Sequence, residues 1–146
     1  MRTGILTRAG LATVLSGAAL LAATHSLPVA AQNVSRACPK ASEVTFAHLL
    51  GQWRAQIEGA ADATLVFVRH PQYRGVRGTI NRGGERSELS GEVHDGEFLL
   101  EESTDGVAIS ATWVGEVAPG SCGREVRGNW RLERDKIERA FVLRKQ

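Results

Sequence analysis

From Gly51 onward the chain alternates apolar and polar residues with a period of two, and turn residues interrupt the alternation at short intervals. Alternation of this kind marks half-buried strands, with one face packed and the other in water. It picks out Gln52–Glu58, Ala63–His70, Val76–Asn81, Glu88–His94, Glu97–Glu102, Val107–Val117, Glu125–Glu133 and Glu138–Lys145. The connections are short: Arg82-Gly83-Gly84, Asp95-Gly96 and Asp105-Gly106. Asp-Gly between alternating segments favours a tight hairpin. Helical patterning is confined to Thr45–Leu50, with Thr45 as N-cap, Phe46, Leu49 and Leu50 as the apolar face and Gly51 as the stop.

Four of these strands carry a glycine in the middle of the apolar face, at 78, 91, 115 and 128. The glycines lie 13 residues apart within each hairpin and 37 apart between hairpins, so residues 76–93 and 113–130 align without a gap. Glycine weakens a strand, and its repetition at one depth needs a steric reason. A closed barrel supplies one, because its strands must coil sharply and small inward residues can face large ones, here Trp113 and Trp130. A two-sheet sandwich is the alternative, but short hairpins rather than crossovers favour closure. The expected fold is therefore all-β, a single antiparallel eight-stranded up-and-down β-barrel over residues 51–146, with a short N-terminal helical turn.

The first residues add a compartment. Arg2 and Arg8 precede the apolar run Leu11–Ala23, and small residues at Val29 and Ala31 complete the pattern of a signal peptide spanning 1–31 and cleaved before Gln32. Residues 32–50 then form an arm and the helical turn. The expected location is periplasmic or secreted, with no membrane insertion after cleavage. Cleavage removes two of the 18 basic side chains and none of the 16 acidic ones, so the mature charge balances. That removes the basic footprint nucleic-acid binding requires. Charge is nonetheless uneven: Arg86 is the sole basic residue between 85 and 116, a stretch holding nine acids. Cross-strand pairing with basic neighbours is the simpler expectation for it, and a docking surface for a cationic partner is the functional one. The two cysteines, Cys38 and Cys122, are expected to form one disulfide in an oxidising compartment.

Catalytic signatures are missing from the sequence. The histidines at 48, 70 and 94 have no metal-ligand spacing, and no nucleophile elbow, phosphate loop or paired-histidine zinc motif occurs. Neither an enzyme, nor a cofactor, nor a metal site is expected. Glu101 and Glu102 are adjacent on a strand and so face opposite ways. The parity of Phe98 and Leu100 places Glu102 inward, at the barrel mouth, as a candidate ligand contact against the alternative of a solvated rim charge.

Gly51-Gln52-Trp53 resembles the Gly-x-Trp that opens calycin barrels, the group of avidin-like, lipocalin-like and bacterial protease-inhibitor proteins. Thr64–Val68, Arg77-Gly78-Thr79, Ala111-Thr112-Trp113 and Asn129-Trp130 are similar to the strand order of the avidin-like members. The resemblance implies that Trp53 packs across the barrel floor under a basic residue, Arg144 or Arg139. It implies a fold and not biotin binding, since the polar residues that hold biotin have no counterparts here.

The leading expectation is an exported, noncatalytic binding protein whose interior, ringed by Trp53, Trp113 and Trp130 with Glu102 at the rim, takes a small apolar ligand. A barrel plugged by its own side chains is the competing expectation for that interior. The second functional reading is a periplasmic hydrolase inhibitor or protein-interaction module acting through loops or through the Gln32–Thr45 segment. The compartment argument predicts that exported protein begins at Gln32. Intact mass spectrometry finding residues 1–31 retained would overturn it.

Overall fold

The computed structural model describes residues 38–146; the leader 1–31 and the arm up to residue 37 lie outside the described residues. A 3-10 turn at Ala41–Glu43 and one helical turn, α1 (Phe46–Leu49), precede eight strands. The strands are β1 (Gly51–Ile57), β2 (Ala63–Arg69), β3 (Val76–Arg82), β4 (Glu85–His94), β5 (Glu97–Ser103), β6 (Ala111–Val117), β7 (Glu125–Leu132) and β8 (Glu138–Lys145). Each pairs antiparallel with its neighbours in sequence, and β8 closes onto β1. This is the closed, up-and-down barrel that the calycin resemblance implies.

Two strand bounds differ from expectation by more than one residue, for local reasons. β4 begins at Glu85, because Gly83 and Gly84 alone make the β3–β4 turn and Arg82 remains paired, opposite Glu85. β6 begins at Ala111 rather than Val107. Residues 104–110 are instead a loop organised by Asp105, whose Oδ1 accepts from the main-chain N–H of Val107 (2.9 Å) and Ala108 (2.8 Å). Those bonds hold the Asp105 carboxyl below the usual carboxylate range, the Val107 N–H being the largest cause.

The inward positions form one core of Trp53, Leu65, Phe67, Val76, Ile80, Leu89, Phe98, Leu100, Trp113, Val126, Phe141, Leu143 and their smaller neighbours. Trp113 stands directly across from Trp130, and Gly115 across from Gly128. The four glycines do face inward, and the structure corrects the reason for them. A Cβ built on Gly128 or Gly78 would collide with the carbonyl oxygen of Val114 or Val66, and one on Gly115 or Gly91 with that of Arg127 or Leu99. The obstacle is the main chain of the adjacent strand, not the tryptophans. Main chain cannot rotate away, so these positions let the strands approach closely where the barrel coils.

One end of the barrel is plugged. Val44 and Leu49 are buried there, and the Trp53 indole N–H donates to the Leu49 carbonyl at 2.6 Å. Thr45 is the N-cap residue, as its sequence suggests, and its N–H donates to His48 Nδ1 at 3.0 Å. The Cys38–Cys122 disulfide, with Cα atoms 4.6 Å apart, ties this plug to the β6–β7 turn across a separation of 84 residues. Closing so long a loop is worth about 4–5 kcal/mol in the chain-entropy description. The basic residue over Trp53 is neither Arg144 nor Arg139 but Lys145, whose Nζ lies 5.9 Å from the ring centroid and donates to the His48 carbonyl. Arg144 sits on the outward parity of β8 and pairs with Glu125; Arg139 is at the opposite end, donating to the Glu58 carbonyl. Burial lowers the Lys145 ammonium below its ordinary range, with Arg124 adding to the effect.

The glycine girdle gives a test. Gly128→Val is expected to cost about 3 kcal/mol, the upper end for overpacking, because the obstruction is a carbonyl in a strand ladder. Asn129→Val, on the exposed face of the same strand, is expected to be nearly silent. Denaturant melts giving equal stabilities would show that the strands do not need this approach.

Candidate functional site

The other end of the barrel, opposite the plug, is bounded by the β1–β2, β3–β4, β5–β6 and β7–β8 turns. Here lies a cleft of about 510 Å³ lined by Ile80, Arg82, Ser87, Glu102, Ser110 and Leu132, with Glu85, Arg86 and Thr104 at its edge. Its floor is Glu102, only 2 % exposed. The inward parity expected of this residue is correct, but the charge is buried rather than solvated at a rim.

An isolated carboxylate in such a place would be costly, and four donors answer it. Arg82 donates from Nη1 to Oε1 at 3.2 Å and from Nη2 to Oε2 at 3.1 Å. The indole N–H groups of Trp113 and Trp130 both donate to Oε2, at 3.2 and 3.4 Å. The Arg82 guanidinium also stacks on Trp130, with Cζ 5.0 Å from the ring centroid. Trp113 and Trp130 meet edge to face at 6.2 Å, and Phe141 backs Trp113 at 5.0 Å. Ser110 seals the edge, its N–H and its hydroxyl both donating to the Glu102 main-chain carbonyl. Ala111, directly across from Glu102 on β6, leaves room for the carboxylate between larger neighbours.

Three of the four expected site residues therefore converge: Trp113, Trp130 and Glu102. Trp53 does not. It lies at the plugged end beside Phe67, at 6.2 Å between ring centroids. Arg82 was not expected, since its place before Gly83-Gly84 reads as turn. The signal was present in parity: Val76, Gly78, Ile80 and Arg82 fall on one face if the strand runs one residue further.

Other candidates carry less chemistry. His48 and His70 use Nδ1 as local acceptors, from Thr45 and Gln72. Among the described residues no group of three or more His, Cys, Asp or Glu could hold a metal ion, and no helix is long and apolar enough to cross a membrane. A larger hollow, about 710 Å³, is lined by Gly115–Ser121, Glu125, Arg127 and Gly128, but none of its charged side chains is buried. The uneven charge is not explained by cross-strand pairing. Among the described residues, Glu102 is the only acid between 85 and 116 in an ion pair. The pairs at the other end of the chain, Arg127–Glu125, Arg144–Glu125, Arg131–Glu133 and Lys136–Glu133, are internal to it. Arg131 and Lys136 hold the Glu133 carboxyl down to about 2, the Lys136 hydrogen bond being the larger cause.

Removing one partner from a buried ion pair leaves the other uncompensated and costs about 3–5 kcal/mol. Glu102→Ala, which also strands two indole N–H groups, is expected to lose that much. Glu101→Ala, on the exposed face of β5, should lose almost nothing. Urea melts of the two variants check this, and similar midpoints would mean that the network stabilises nothing. Compared with known protein families, curated proteins and solved structures, the chain matches none.

Proposed function

We propose that this is an exported, noncatalytic binding protein that takes a small ligand into the mouth of its barrel, in the manner of avidin-like and lipocalin-like calycins, and works in the periplasm or outside the cell. The observation that carries the reading is the buried Glu102 carboxylate on the floor of the mouth cleft. A filled core has no use for a charge there: an apolar residue of similar size would avoid the desolvation that four donors must offset. A polar group held rigidly at the base of a cleft with aliphatic walls is the usual construction of a small-molecule site. Both the disulfide and the signal-peptide pattern support export. The ligand enters past Thr104 and Leu132, with its apolar body against Ile80 and Leu132 and a polar group toward Ser87, Ser110 and Glu102.

A second reading rests on a different feature. Val107 is 90 % exposed and Ile109 46 % exposed, both on the loop that Asp105 stiffens. An apolar tip on a preorganised loop suits insertion into a partner's cleft, as in a hydrolase inhibitor, because little entropy remains to be lost on docking.

The mouth reading is tested with N-phenylnaphthylamine, a neutral apolar dye, titrated into the mature protein while tryptophan emission is followed. Trp113 and Trp130 are expected to report binding. Thr104→Phe, which fills the cleft from an exposed position, is expected to weaken it at least about tenfold, whereas Val107→Ser should not. Dye binding unaffected by Thr104→Phe, or no binding at all, would move the balance to the loop.

A further inference from the structure

Arg82 is bound twice over in the mouth and yet poorly accommodated. Its guanidinium holds both oxygens of Glu102 and lies on Trp130, but its Nε is buried with no hydrogen-bond partner, the only such side-chain nitrogen or oxygen among the described residues. An unpaired buried donor carries the full cost of its lost hydration. The side chain as a whole is still 23 % exposed, on the last residue of its strand, so its head can swing from Glu102 to the edge of the cleft without main-chain movement. A place to go is at hand. Glu85 is its register partner on β4, is exposed, and has no ion pair among the described residues.

What Arg82 would leave behind is a finished cation site. The Glu102 side chain is only 3 % exposed and keeps two indole N–H bonds, so it stays aimed. The uncovered face of Trp130 then lies beside an unpaired carboxylate. A carboxylate and an aromatic face together bind guanidinium and ammonium groups, by charge and by cation–π attraction in a partly dry setting.

The geometry points to Arg82 as a built-in occupant of this site, displaced by a ligand that carries an organic cation, a guanidinium or an ammonium, on a small apolar body. This rests on the mouth reading and gives its ligand a chemical class. Arg82 then sets the affinity for cationic ligands: each must first expel it from Glu102, and its removal lifts that cost from their binding. It also selects, because a neutral or anionic group offers Glu102 less than Arg82 already does.

The experiment uses the mature protein with methylguanidinium and its neutral analogue of the same shape, N-methylurea, at low millimolar concentration. Tryptophan emission and thermal shift are both read. In Arg82→Ala, methylguanidinium is expected to bind at least about tenfold more tightly than in the unaltered protein, with N-methylurea silent. Adding Glu102→Gln to that variant should abolish the binding. Circular dichroism confirms folding, and Arg82→Gln, which keeps the stem but not the charge, replaces Arg82→Ala if the latter does not fold. Equal titration of the unaltered protein and the Arg82 variant, or N-methylurea binding as well as methylguanidinium, would overturn the cation assignment. If the neutral dye still binds in a Thr104-dependent way, that failure leaves the mouth reading standing. If neither dye nor cation binds, both fall.

Discussion

Eight short strands close into a ring here only because pairs of them come closer than side chains ordinarily allow. Gly115 faces Gly128 across one such approach, and Gly78 and Gly91 sit against the carbonyls of Val66 and Leu99 in the others. The rest of the interior follows from that closure. Trp113 and Trp130 pack edge to face two residues along from the girdle, and Phe141, the register partner of Gly128, backs Trp113. Tryptophan brings an N–H that must be satisfied when buried. Two such N–H groups converge on one point, and the residue that meets them is a carboxylate. The glycines, the indoles and Glu102 thus form one chain of necessity, from backbone sterics to a buried charge.

Much of this was legible from period-two alternation. The strand count, the direction of the glycines and the inward parity of Glu102 all follow from it, and the up-and-down order follows from short turns. The compartment-based pairing of Cys38 with Cys122 also agrees with the structure. Apart from the placing of Trp53 in the site and the steric reason for the glycines, reading failed at strand ends. Asp105 hydrogen-bonds its own loop, so Val107 and Ile109 keep an alternating sequence without pairing. Arg82 reads as turn, yet two glycines suffice for the hairpin and the arginine stays on the strand. Arg144 looked apt to cover Trp53, yet Phe141 and Leu143 already fix the inward parity, and that parity leads to Lys145. Alternation specifies faces well and ends poorly, because an end is decided by competing local hydrogen bonds.

The distribution of charge follows a different rule from the core. Three of the four arginines of β7 and β8, Arg127, Arg131 and Arg144, are consumed by Glu125 and Glu133 close by, and the outward carboxylates of β4 to β6 are left without an ion pair. Exposed pairs contribute little to stability, and nothing in the fold requires the acidic side to be neutralised. Its consequence is a field: carboxylates at Glu88, Glu92, Glu97, Glu101 and Glu116 give one flank of the barrel a negative potential that draws cations toward the molecule.

The two ends of the barrel use one chemical device in opposite ways. At each end a cation lies over an indole, Lys145 over Trp53 at 5.9 Å and Arg82 over Trp130 at 5.0 Å. The difference is in what holds the cation's head. Lys145 donates to a main-chain carbonyl of the plug, a neutral acceptor that is itself tied down by the disulfide and by the Trp53–Leu49 bond. That carbonyl carries no net charge to attract a competing ion, so the contact acts as a rivet. Arg82 is held by a full negative charge at the base of a cleft, and a charge does not distinguish one guanidinium from another. An ion pair confined by the fold and open to solvent on one side is exchangeable in a way that a cation on a carbonyl is not. The plugged end is where this chain fixes its structure, and on the proposed reading the mouth is where the same interaction is left available to a ligand.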